Sequence, residues 1–114
     1  MAKVTHFEVL GQDAAALQKF YGQAFDWEMQ DVMEGSYYMI HPHGGIDGGV
    51  GAAPEGGPGH VTFYVEVDDP AETLQKISQL GGRTVQEPMD VPGGPTIALF
   101  ADPEGHVVGL VKGS

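Results

Sequence analysis

Along residues 4–10, Val4-Thr5-His6-Phe7-Glu8-Val9-Leu10, apolar and polar side chains alternate with the period of a half-buried strand. Phe7 and Val9 are expected on one face, with His6, Glu8 and Leu10 on the other. The period then changes. Leu17, Phe20, Tyr21 and Ala24 recur at i, i+3, i+4 and i+7, a helical stripe, and Asp13 stands where an N-cap is needed. The same succession returns in 62–87: a strand through Thr62-Phe63-Tyr64-Val65-Glu66, then Asp69 as N-cap with Pro70 at the first helical position and Glu72 completing a capping-box pattern. Leu74, Ile77 and Leu80 form the stripe of this second helix, and Gly81-Gly82 end it. After each helix come three further strand candidates, 26–30, 36–41 and 46–51 in the first half and 83–87, 96–101 and 106–111 in the second.

The chain therefore states one pattern twice. Both helices contain Leu-Gln-Lys, at 17–19 and 74–76, and the halves close in GGIDGGVG (44–51) and EGHVVGLV (104–111). A unit of about 50 residues is too small to bury a good core alone, so two copies are expected to pair. The predicted fold class is α+β: two βαβββ modules in tandem, forming a curved mixed sheet around a shared cavity. At 114 residues the chain reads as a single domain, 1–114, with module one at 3–51, a Gly/Pro-rich linker at 52–59 and module two at 60–112. Each helix covers one sheet face, which leaves the opposite, trough-like face for chemistry.

Composition narrows the function classes. Five Lys+Arg against sixteen Asp+Glu give a net charge of −11, which opposes phosphate backbones and anionic bilayers, so neither nucleic acid nor membrane is an expected partner. There is no cysteine, hence no disulfide, thiolate metal site or Cys nucleophile. With no signal-peptide pattern or long apolar run, a cytoplasmic protein is expected.

The motifs HFEVLGQDAAALQKFYGQAFDWE, VTFYVEVDDPAETLQKISQLGGRTVQEP and LFADPEGHVVGLV resemble the vicinal oxygen chelate superfamily, which includes glyoxalase I, bleomycin-resistance proteins and extradiol dioxygenases. The likeness covers about nine-tenths of the chain. It implies a divalent metal held by the first and last strand of each module, and each such position has a counterpart here. His6, seven residues before Asp13, matches. Thr62, seven before Asp69, offers only a neutral hydroxyl. The closing-strand positions, four residues after Gly45 and Gly105, are Gly49 and Gly109, which have no side chain. A first-row metal wants three or more protein ligands, so no metal or other cofactor is expected at the family's positions. The alternative is a relocated divalent site. His6, Glu8 and His60 have the chemistry of a two-His, one-carboxylate set, although residues two apart on a strand lie about 6.6 Å apart along it.

The ligand-binding residues expected from strand parity are His6, Glu8, His60, Thr62 and Tyr64, all on the face away from the helices, with Phe7, Val9, Phe63 and Val65 as the complementary apolar set. Glu66 shares that parity and is a candidate general base. Trp27, Tyr37, Tyr38 and Phe100 can stack on an organic ligand or serve as core. His41 and His43 flank Pro42 in an expected exposed loop, His106 begins the last strand at a solvated edge, and Gly93-Gly94-Pro95 reads as a turn. The expected function is metal-free binding of a small organic molecule in the trough by a homodimer. Resemblance to bleomycin-resistance proteins implies sequestration of a cationic, drug-like ligand. A metal-dependent lyase, isomerase or dioxygenase is the alternative, and a purely structural or partner-binding module a third reading.

Overall fold

The computed structural model describes residues 2–42, 44–54 and 57–113. The element order is β1 (Lys3–Gly11), α1 (Ala14–Phe25), β2 (Met29–Asp31), β3 (Tyr37–Ile40), β4 (Asp47–Ala52), β5 (His60–Val67), α2 (Pro70–Gln79), β6 (Arg83–Asp90), β7 (Thr96–Ala101) and β8 (Val107–Lys112). This is βαβββ twice, an α+β fold. By their contacts the residues fall into two compact units, 6–62 and 1–5 with 63–114.

Both helices start as their capping residues dictate. The Asp13 side chain accepts from the Ala16 backbone N–H at 3.0 Å, and that of Asp69 accepts from the Glu72 N–H at 3.2 Å with Pro70 following. They end differently. Gly81, at φ 101°, follows α2, whereas α1 stops at Asp26, a non-glycine residue in the left-handed region at φ 56°.

Strand order is β2-β3-β4-β1 in module one and β5-β8-β7-β6 in module two. In each module the first and last strands pair in parallel, β1 with β4 and β5 with β8, while the other neighbours are antiparallel. The register makes the repeat visible residue by residue. One row runs Glu8, Gly49, Met39, Gln30 across module one, and its equivalent in module two runs Tyr64, Gly109, Leu99, Gln86.

Each module has its own core. Val9, Ile40 and Val50 are buried in the first, with Phe7, Leu17, Tyr21, Trp27 and Met29 packed against them. Leu74, Ala98 and Leu110 are buried in the second, joined by Val65, Val67, Ile77 and Phe100. Trp27 and Phe100 are thus core residues, and Trp27 lies against Phe7, Tyr21 and Phe25. Three expected core positions are exposed instead: Phe20 at 62 %, Leu80 at 69 % and Phe63 at 42 %. Phe20 meets Tyr21 edge-on, and Leu80 is the C-cap, past the last residue of α2. Phe63 shares its strand parity with Val61, 74 % exposed, and is not among the residues packed against the Leu74 cluster.

The loops follow local hydrogen bonding. The Asp102 carboxylate accepts from the backbone N–H groups of Glu104 and His106, both at 2.9 Å, and Gly105 takes φ 91°, so Asp102-Pro103-Glu104-Gly105 closes the β7–β8 hairpin. His106 is exposed and its Nδ1 lies 2.9 Å from Asp102 Oδ2. The backbone N–H of His106 is the main reason that the Asp102 carboxyl is held below its ordinary value. Val91 and Gly94 bond across the Gly93-Gly94-Pro95 turn. In the expected linker, Ala52 belongs to β4 and Ala53 is buried, its N–H bonded to the Gly11 carbonyl, while Glu55 and Gly56 lie outside the described residues.

Replacing Leu110 by Ala should lower the unfolding free energy by about 2–5 kcal/mol, because the core around it is closed on all sides. Leu80→Ala should change it by no more than about 0.5 kcal/mol. Urea unfolding of both variants against the parent chain measures the difference.

Candidate functional site

On β1 the side chains divide as their parity dictates. Phe7 and Val9 enter the core beneath α1, and His6 and Glu8 take the opposite face. Glu8 is 8 % exposed, an unusual position for a carboxylate. Its partners explain how it is held there. The Tyr37 hydroxyl donates to Glu8 Oε2 at 2.9 Å, and His60 Nε2 lies 3.4 Å from Oε1, a longer and weaker contact. Tyr37 Oη is also 3.1 Å from His6 Nε2. Since the only phenolic proton goes to Glu8, the oxygen accepts from His6, which fixes His6 as its Nε2–H tautomer. The result is one hydrogen-bonded chain, His6 to Tyr37 to Glu8, with His60 completing it from β5.

Burial lowers the pKa of His6 from its ordinary 6.5, against the opposing influence of Glu8 and Asp47; His41 adds to the lowering. Asp47 is the register partner of His6 on β4 and pairs with exposed His41 at 3.2 Å. His41 thus sits in an exposed pair, and His43 lies outside the described residues.

Tyr37 reaches its position because β4 has no side chains in the way. A Cβ at Gly49 would fall on the Tyr37 hydroxyl, and one at Gly51 on its ring. On the other face of the same strand a Cβ at Gly48 would strike the Phe7 ring. Module two repeats the device: a Cβ at Gly109 would enter the ring of Tyr64, its register partner and a buried residue. Thr62 is buried as well, at 7 %. Glu66 is half-buried and pairs loosely with Lys3 at 3.9 Å. Among the described residues of module two, the amide nitrogen of Gln86 is buried without a hydrogen-bond partner.

Sequence parity thus picked His6, Glu8, His60 and Thr62, which the fold gathers in one unit, and Tyr64, which lies on the matching row of the other. It missed the role of Tyr37, weighed only as a stacking or core aromatic. Its hydroxyl joins residues 29 and 31 positions away, and only the β3–β4 and β1–β4 registers bring them together. The glycines at 49 and 51 were the available signal, since a strand glycine marks a close approach.

The fold and this arrangement place the chain among proteins built from paired βαβββ modules. A family model described as Glyoxalase/Bleomycin resistance protein/Dioxygenase superfamily matches residues 3–110, and the chain belongs to that superfamily. It is 31 % identical over 86 residues to the putative glyoxylase CFP32 of Mycobacterium tuberculosis, covering 72 % of this chain but 32 % of that one, so it spans about a third of that relative's length. It is 38 % identical over 55 residues to lactoylglutathione lyase of Escherichia coli O157:H7, 47 % of this chain and 39 % of the lyase. Among solved structures, a superfamily member from Vibrio splendidus 12B01 superposes with a TM-score of 0.69 at 14 % identity, covering 99 % and 100 % of the two chains. A Mn(II)-bound glyoxalase from Novosphingobium aromaticivorans gives 0.69 at 16 %, covering 96 % of this chain and 38 % of that one. At such identities the likeness is one of fold.

The metal that the family implies does not fit the residues at its positions. His6 is a competent ligand, but Gly49 and Gly109 have no donor atom and the space above them is filled by Tyr37 and Tyr64. Among the described residues no three His, Cys, Asp or Glu side chains are grouped so as to hold an ion, the set His6, Glu8 and His60 included.

Two outcomes test this geometry. Gly49→Ala should cost about 1–3 kcal/mol in the parent chain and much less beside Tyr37→Ala, a coupling that a double-mutant cycle in urea reads directly. Because the folded pKa of His6 lies below 6.5, the unfolded chain binds a proton that the folded chain refuses, so stability should fall as pH drops below about 6.5. His6→Gln should remove that part of the slope, measured as the difference between the two unfolding curves across pH.

Proposed function

We propose that this chain is a metal-independent member of its superfamily that binds a small organic molecule within the unit formed by residues 6–62, where His6, Glu8, His60 and Thr62 lie, and acts by sequestration. Tyr64 marks the equivalent row in module two. The observation that carries this reading is the phenol of Tyr37 above Gly49, because it places a hydrogen-bonding group where the family's metal ligand belongs. The polar cluster argues against a purely structural role. A buried carboxylate with its own donors is costly to keep in a surface that serves packing alone. A cytoplasmic homodimer belongs to the same proposal.

A second reading is supported by the likeness to lactoylglutathione lyase across about half of the chain. Under it, the protein acts on lactoylglutathione or a related thioester with a metal bound away from the family's positions.

Metal analysis of protein purified without chelator separates the two. Zn, Ni, Fe and Mn should all be far below one per chain, and lactoylglutathione should be neither formed nor consumed when these ions are added. Stoichiometric metal that is lost in His6→Ala, together with metal-dependent turnover, would establish the second reading instead. Bleomycin, titrated calorimetrically into the metal-free protein, probes the sequestration arm.

A further inference from the structure

We propose that module one has a second binding site, a recess between α1 and β2 that takes a small apolar monocarboxylate with its carboxylate on Lys19. It is separate from the His6–Tyr37–Glu8 cluster. His6 and Glu8 lie on the face of β1 opposite α1, and the recess is built on the helix side.

The recess has a volume of about 340 Å³, within the range of small-ligand sites. One wall is α1, through Gln18, Lys19, Gly22 and Gln23, and the other is Trp27 from the α1–β2 connection with Met29 at the start of β2. Gln18 with Gly22 and Lys19 with Gln23 are i, i+4 pairs, so the four share one stretch of helix surface. Gly22 is what keeps it open. A glycine inside a helix costs stability relative to alanine, so its presence calls for a reason. Gly48, Gly49 and Gly51 have theirs in the rings pressed against them, but a Cβ at Gly22 would meet nothing closer than the Trp27 carbonyl oxygen at 3.4 Å and the Met29 side chain at 3.8 Å, ordinary contacts. Packing permits a side chain at this position. What a side chain would remove is room in the recess.

Lys19 sets the chemistry. It is the only Lys or Arg in residues 6–62, and its helix neighbours three and four positions away, Ala15, Ala16, Gly22 and Gln23, include no acid to neutralise it. The ion pairs among the described residues, Lys3–Glu66, His41–Asp47, His60–Glu8 and His106–Asp102, leave it out. The amides of Gln18 and Gln23 on the same wall can donate beside it. Opposite, the Trp27 ring is backed by Phe7, Tyr21 and Phe25 at centroid distances of 5.7, 6.4 and 5.0 Å, which makes a firm apolar wall with the Met29 thioether. The surroundings limit the ligand to one charge. Asp26 and Glu28 flank Trp27, α1 ends in this direction and the chain carries −11, so a second negative charge meets only repulsion once Lys19 has offset the first.

Trp27 is the only tryptophan, so its fluorescence reports on the recess. Phenylacetate, titrated into the parent chain at neutral pH, should change that fluorescence saturably and shift the NMR signals of the Trp27 indole N–H and the Gly22 amide, while the His6 and His60 ring signals stay in place. Phenylacetamide, 2-phenylethylammonium and phenylmalonate should each bind more weakly. Lys19→Met, which removes the charge and keeps most of the stem, should weaken phenylacetate about tenfold. Gly22→Leu, which fills the recess with a better helix former, should abolish binding without lowering the melting temperature. The proposal is overturned by the absence of a saturable response to phenylacetate, by any of the other three probes binding as tightly, or by unchanged phenylacetate affinity in a folded Lys19→Met or Gly22→Leu variant. The probe comparison needs no variant, so it decides the question even where neither variant folds. Shifts confined to His6 and His60 would also overturn it while supporting the small-molecule reading above, whereas stoichiometric metal on His6 would remove that reading and leave this site standing.

Discussion

A carboxylate removed from water must find its solvation in the protein, and in module one Glu8 finds it in the Tyr37 hydroxyl and the His60 ring. The rest of the unit follows from that requirement. For the phenol to reach Glu8 from β3 it must cross β4, and β4 lets it cross by having glycine at 49 and 51. For His6 to share the same oxygen, β1 must turn His6 and Glu8 to one face, which sends Phe7 and Val9 to the other and so places half of the core under α1. The polar site and the apolar core are two faces of one register.

The two modules show how a duplicated scaffold diverges. Their equivalent rows, Glu8-Gly49-Met39-Gln30 and Tyr64-Gly109-Leu99-Gln86, keep the glycine on the closing strand and the glutamine at the far edge while the first position differs, acidic in one and phenolic in the other. In module two the tyrosine that covers the glycine comes from the neighbouring strand directly, and in module one it arrives diagonally from β3. The backbone is shared with proteins at 14–16 % identity that include a Mn(II)-bound glyoxalase, so the fold constrains where groups can converge and leaves their chemistry open.

Much of this was readable from the chain because it is local. Asp13 and Asp69 cap their helices through bonds that span three residues, the Asp102 turn closes over four, and alternation assigns His6 and Glu8 to one face without any knowledge of partners. What alternation lacks is distance along the strand. Phe63 and Val65 have the same parity, but only Val65 lies over the Leu74 cluster, and Phe63 is left exposed. Helical periodicity has the same blindness at its margins, where Phe20 and Leu80 complete a stripe on paper yet lie outside the buried arc. Tyr37 was hidden for a different reason. Its role depends on three strands in register, and nothing within its own neighbourhood of sequence distinguishes it from Tyr38 beside it.

The glycines of β4 also bear on how such a site can change over generations. Rings from both neighbours press on this strand, Phe7 from β1 against Gly48 and Tyr37 from β3 against Gly49 and Gly51, so almost any side chain gained there collides with one already in place. A lineage that once had a ligand at position 49 and lost it to glycine could then admit the phenol. Once Tyr37 had settled, restoring the ligand alone would break the new contact before any ion could be held. Reversal needs two changes together, at 37 and at 49, and either one alone passes through a less stable protein. The crowding acts as a ratchet: with Tyr37 in place, glycine at position 49 is easy to retain and hard to replace.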